Sequence, residues 1–123
     1  MIGKIYISVV DYYDIKTSCT KRKQRPVLII SGPHNNDYTV LPISTISKSE
    51  NIDPLYDIEV IPDQYPLLGL KRRSFLRTHK QTPIHKASLV REIGDIKANY
   101  PDLYMDVLAK WEQFHLEICD SVL

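Results

Sequence analysis

KRKQRPVLIIS, residues 21–31, changes character at Pro26. Four cations, Lys21, Arg22, Lys23 and Arg25, crowd the five positions before it, and Val27, Leu28, Ile29 and Ile30 follow as an unbroken aliphatic run. Such a run, ended by turn chemistry, predicts a strand over 26–31 that is buried on both faces. Pro26 suits its first position, where a missing N–H costs least. Why a chain should gather cations at the mouth of its most buried strand is the question the rest of the sequence has to answer.

Working outward, SGPHNND at 31–37 is turn chemistry throughout, so Tyr38–Ile43 is predicted to fold back beside the buried strand. Upstream, residues 4–10 alternate, with Ile5, Ile7 and Val9 on one face and Lys4, Tyr6 and Ser8 on the other, the pattern of a half-buried strand. Residues 11–24 are polar and aperiodic and read as a loop. After a polar connection at 46–54, Tyr56, Ile58 and Val60 alternate with Asp57, Glu59 and Ile61, a fourth strand with one wet face. Residues 62–73, with two prolines and a glycine, read as a second loop. Ser74–Thr78 and Leu89–Ile96 are predicted as short strands.

The period then changes. Tyr104, Val107, Leu108, Trp111, His115 and Ile118 fall on one helical stripe. Pro101 fits a first helical turn, and Asp102 favours the positive end of the helix dipole. Strands followed by one amphipathic helix predict an α+β domain, or a small barrel-like sheet, spanning residues 1–123 without an internal linker.

The chain has 123 residues, 43% of them hydrophobic and 25% charged, with a net charge of +1. That suits one globular domain with a real core and excludes a polycation drawn to nucleic acid by total charge. Cys19 and Cys119 make no metal-binding pattern with the four histidines and read as reduced thiols. The N-terminus lacks the layout of a signal peptide, and no apolar stretch has the roughly 18–20 residues of a membrane span. A cytoplasmic protein away from membranes is expected.

Charge is distributed unevenly all the same. No acidic residue occurs from Gln64 to Arg91, a window that holds Lys71, Arg72, Arg73, Arg77, Lys80, Lys86 and Arg91. The acids gather at 50–63 and 92–120. If this basic block meets residues 21–25 in space, a neutral protein has a positive face suited to phosphate. Each block also reads as an ordinary solvated loop, and Tyr12, Tyr13, Tyr65 and Phe75, rings on which bases could stack, also read as core or surface aromatics.

Taken in order, Gly3-Lys4-Ile5-Tyr6, Arg25-Pro26-Val27-Leu28-Ile29-Ile30, Val40-Leu41-Pro42-Ile43-Ser44-Thr45 and Ser74-Phe75-Leu76-Arg77-Thr78 through Lys86 and Leu89 resemble the MazF/PemK family of toxins from type II toxin–antitoxin modules. The resemblance covers nearly the whole chain. It implies a small, strongly curved antiparallel sheet or barrel (the CcdB/PemK/MazF-like, SH3-like form) with a C-terminal helix, and a homodimer. It implies a sequence-specific endoribonuclease that cuts single-stranded mRNA through 2′-OH attack, with no metal or other cofactor, and an antitoxin protein as partner.

On that resemblance Arg25 matches the catalytic arginine, and Ser44 stands where the family has a catalytic threonine. Lys21, Arg22, Lys23, Thr45, Arg77, His79, Lys80 and Gln81 are the expected RNA-binding residues. A histidine can move protons near neutrality, so His79 is expected to line the groove and assist proton transfer or read a base. Three features depart from the family pattern: no glycine before Arg25-Pro26, a serine at 44, and a histidine at 79 where many members have an acid. Two other readings go with them: a relative that binds RNA or protein without cutting, and a CcdB-like gyrase poison.

Overall fold

A computed structural model of the chain describes residues 1–123. Seven strands form one antiparallel sheet: β1 Lys4–Asp14, β2 Cys19–His34, β3 Asp37–Ser44, β4 Asp57–Val60, β5 Ser74–Arg77, β6 Thr82–His85 and β7 Leu89–Asp95. Two helices close the chain, α1 Ile96–Asn99 and α2 Pro101–Val122. The strands lie in the order β4-β5-β3-β2-β1-β7, and β6 also pairs with β3.

The curl of the sheet has a local cause in β3. Asp37–Val40 pair with β6, whereas Ile43–Ser44 pair with β5, so β3 changes partner at Leu41-Pro42. Proline has no N–H for a ladder and suits such a break. The result is a curled half-barrel with a C-terminal helix, as expected. Its central strand is buried on both faces: Leu28 joins a core with Ile5, Leu41, Leu76 and the helix residues Leu103, Tyr104 and Val107. Val27 and Ile29 face the other way, with Val40 and Ile84.

The predicted loop at 11–24 is instead the outer part of a long hairpin. The β1–β2 ladder runs from Ile5↔Leu28 to Asp14↔Cys19, so only residues 15–18 turn. Hydrophobic alternation is missing because the arm projects beyond the core with both faces wet. Cross-strand charge pairs mark it instead: Lys21 with Asp14 at 3.0 Å and Arg22 with Asp11 at 3.3 Å. Pro26 therefore lies within β2, at the point where pairing with β3 has yet to begin; that ladder starts at Val27↔Pro42.

Other differences are smaller. The short β6, with Ile84 as its one buried residue, has too few positions for a periodic signal. Register shifts where β1 meets β7 break the predicted alternation, and Ser8 is fully buried. Asp57, placed on the wet face of β4, has no exposed side-chain surface. The stripe of α2 is buried only in its first half; Ile118 is 42% exposed. Gly69 and Gly94 allow the 62–73 loop to lie on β7, since a Cβ on Gly94 would stand 2.7 Å from the Leu68 backbone and one on Gly69 2.4 Å from the Ile93 carbonyl.

Candidate nucleic-acid interface

Where β2 leaves the core and β3 ends, side chains of both meet. The β2–β3 register pairs Val27 with Pro42, and two further steps place Arg25 across from Ser44. Neighbouring β1 fixes the backbone here: the buried Ser8 hydroxyl donates to the Arg25 carbonyl at 3.0 Å. Arg25 thus stands on a strand held by β1, two residues before the pairing with β3 begins, and a rigid element places a functional group better than a loop does.

Two adjoining clefts open at this point. One, of about 260 Å³, is walled by Lys23, Gln24, Arg25, Ser44, Arg72 and Ser74 together with Pro26, Ile43 and Thr45. The other, of about 390 Å³, shares Arg25, Ser44 and Thr45 and adds Ile46, Ser47, Asn51 and Arg77. Neither has an acidic wall. Arg72 brings the second basic block against Lys23 and Arg25 of the first, so the blocks do meet, although only in part.

Several of the other cations are offset by carboxylates. Lys21 and Arg22 are paired along the arm, and Arg73 Nε donates to Glu59 at 2.9 Å. Lys23, Arg25 and Arg72 have no such partner. Their uncompensated charge is concentrated on hydroxyl-lined walls, which suits a phosphodiester. No group of three or more His, Cys, Asp or Glu side chains is arranged to hold a metal ion. The donors at the clefts are guanidinium, ammonium, amide and hydroxyl groups.

Of the residues expected to bind RNA, Lys23, Thr45 and Arg77 line these clefts beside Arg25 and Ser44. Arg22 lines a different groove, with Val9, Pro83 and His85. Lys80 is exposed and away from the clefts, and Gln81 accepts from Trp111 Nε1 of α2 at 2.8 Å.

His79 is not a groove residue. Its ring lies beneath α2, 6.0 Å from Phe114 and 6.1 Å from Tyr56 between centroids, and its side chain is 12% exposed. Nδ1 has no hydrogen-bond partner and stands 3.7 Å from Asp57 Oδ1. Burial lowers its pKa below the ordinary value, against the pull of Asp57 and Asp53. Nearby, the Tyr56 hydroxyl donates to Glu117 of α2, which pushes the tyrosine pKa up to about 12.

Sequence reasoning missed Gln24, Ser47, Asn51, Arg72 and Ser74 as lining residues and Ser8 as a support. Arg72 lies inside the acid-free window and Ser74 opens the S-F-L-R-T segment, so both had a visible signal. Ser8 had none, because the bulges that bury it are not written in the pattern.

The sequence profile of the PemK-like, MazF-like toxins of type II toxin–antitoxin systems matches residues 3–110. Among solved structures, Mycobacterium tuberculosis toxin MazF-mt6 superposes with a TM-score of 0.55 at 22% identity, over 90% of each chain, a likeness of fold. No curated protein sequence matches the chain. With 3–110 spanned by one profile, the chain belongs to the PemK-like, MazF-like toxins of type II toxin–antitoxin systems.

Proposed function

We propose that this toxin is a sequence-specific endoribonuclease that cuts single-stranded mRNA without a metal ion, acting in the cytoplasm as a homodimer. The observation that carries the proposal is the convergence of Lys23, Arg25 and Arg72, all without a carboxylate partner, on walls bearing the Ser44 and Thr45 hydroxyls. Membership of the family implies an antitoxin protein as partner, and covering these clefts would silence the activity.

The chemistry is a transesterification. The 2′-oxygen attacks its own 3′-phosphorus, a 2′-O–P bond forms, and the P–O5′ bond breaks. The 2′-OH loses a proton and the departing 5′-oxygen gains one. The products are a 2′,3′-cyclic phosphate and a 5′-hydroxyl. Negative charge builds on the non-bridging oxygens in the transition state. Arg25, with a planar fork of donors and a pKa above about 12, suits those oxygens and is no base. Ser44 can hydrogen-bond the phosphate and orient the 2′-OH. The cleft walls hold no imidazole or carboxylate, so their contribution is charge stabilisation and alignment, with protons exchanged through water.

The test is cleavage of a long unstructured RNA in EDTA, with both ends of each cut identified. Cuts at one short motif that leave cyclic-phosphate termini are expected. RNA bound but uncut would favour the non-cutting relative, whose motivation is the departures at Ser44 and His79. Inhibition of gyrase without RNA binding would favour the CcdB-like reading.

A further inference from the structure

Arg25 and Arg77 wall the same cleft, with Ser47 and Asn51 beside Arg77, but only Arg77 has a carboxylate partner. Asp57 lies directly opposite on β4, and its side chain has no exposed surface. Its Oδ1 accepts from Arg77 Nε at 3.1 Å and its Oδ2 from Nη2 at 3.4 Å. Oδ2 also accepts the Asp53 N–H at 2.8 Å, which ties the carboxylate to the backbone. Arg77 Nη2 donates in addition to the Asn51 carbonyl at 3.2 Å. Nη1 alone among the guanidinium nitrogens donates to nothing in the chain.

A guanidinium held in this way has a fixed plane and an offset charge. Attraction to phosphate follows net charge and is indifferent to sequence, whereas reading a base follows the direction of donors. A buried carboxylate in contact with Arg77 cancels most of the field that a phosphate at the cleft would feel. It leaves the N–H donors of Nη1 oriented and without a partner. Arg25, with no partner, keeps its charge.

We propose that Arg77 determines sequence specificity: aimed by Asp57, it reads the acceptor edge of an unstacked base beside the scissile phosphate, while Lys23, Arg25 and Arg72 hold the backbone. Nη1, the one guanidinium nitrogen without a partner, can donate to an acceptor on a base edge, such as O6 or N7 of guanine. Asp57 is a positioning residue. The inference rests on the ribonuclease reading above.

The test compares the wild type, Arg77→Lys and Asp57→Asn. Cleavage motifs are mapped on a randomised RNA pool. Binding of oligonucleotides with single-base changes is followed by fluorescence anisotropy across roughly 50–300 mM salt. Arg77→Lys should relax the preference at one motif position by about tenfold or more, because a donor fixed in direction is replaced by a rotating point charge. Its salt slope should stay as in the wild type. Asp57→Asn should relax the same position and steepen the salt slope by about 0.7, since the charge of Arg77 is then unmatched.

An Asp57 of merely structural role would lower melting temperature and cleavage evenly, with motif and slope unmoved, and that result overturns the inference. So does an unchanged motif in Arg77→Lys. Should Asp57→Asn fail to fold, Arg77→Lys decides alone, at a side chain 22% exposed. A wild type that binds selectively without cutting fails the ribonuclease reading only, and anisotropy then decides the specificity role. A wild type that neither binds nor cuts overturns both.

Discussion

Arg25 and Arg77 open onto one cleft and are held in opposite ways. Arg25 is fixed through its backbone, by strand pairing and the Ser8 hydroxyl, and its guanidinium has no ion pair. Arg77 is fixed through its side chain, by a buried carboxylate and a carbonyl. The contrast extends to the two basic blocks. Lys21, Arg22, Arg73 and Arg77 face carboxylates, whereas Lys23, Arg25 and Arg72 face the cleft without one. A count of cations along the chain thus overstates the charge that an RNA would meet. Position on the pleat and the carboxylates across the strand decide which cations remain available.

Substitutions should separate these classes. Arg25→Ala should have the largest effect, a fall in cleavage rate of about 10²–10³-fold, the scale of losing one donor to a developing oxyanion. Arg25 is exposed, so thermal unfolding should hardly move. Ser44→Ala comes next. Loss of a hydrogen bond to a charged group, worth about 1.5–3 kcal/mol, slows cleavage by at least about tenfold, and Ser44→Thr should restore it. Single-turnover rates on one oligonucleotide check both.

The comparison sharpens in salt. Removing Lys23 and Arg72 together should flatten the salt dependence of RNA binding by up to about 1.4, or about 0.7 for each lost phosphate contact. Removing the paired Lys21 and Arg22 should change it by less than one contact's worth. Equal effects in the two double variants would dissolve the distinction between paired and free cations. Ser8→Ala tests how the Arg25 backbone is held. It should lower stability by about 1 kcal/mol in denaturant titration and reduce cleavage modestly, through Arg25.

The smallest effect concerns His79. Its pKa is lowered in the folded chain by burial, while Asp57 and Asp53 raise it and Arg77 and Lys80 lower it further. The unfolded chain therefore takes up the proton first as pH falls. Stability should be insensitive to this group above about pH 6.5 and decline as pH drops through that value toward the folded pKa. His79→Asn should remove that part of the pH dependence in thermal melts and leave the pH–rate profile of cleavage unchanged. An inflection in the rate that vanishes with the substitution would return His79 to the chemistry.

Much of the fold is legible in the residues because burial imposes periods. Val27–Ile30 declares a strand covered on both faces, and Tyr104 with Val107 declares a helix packed on one side. The arm at 11–24 is not legible, since cross-strand ion pairs such as Lys21 with Asp14 leave no hydrophobic rhythm. The location of Arg25 beside Ser44 follows from strand order once the family is suspected. Asp57 could not be read: its alternation puts it on a wet face, and only the approach of Arg77 and the backbone of Asp53 explains a carboxylate with no exposed surface. His79 misled for the converse reason. Its chemistry suits a ribonuclease, but its ring belongs to the packing of Tyr56 and Phe114 under α2.

The most direct measurement is RNA cleavage in EDTA by the wild type and Arg25→Ala side by side, with every cut end mapped. Cuts confined to one short motif, ending in 2′,3′-cyclic phosphate and slowed about 10²–10³-fold in the variant, are the predicted result. Cuts made by Arg25→Ala at the wild-type rate, or a wild type that leaves the RNA intact, would contradict an RNA-cleaving site built on the unpaired arginine.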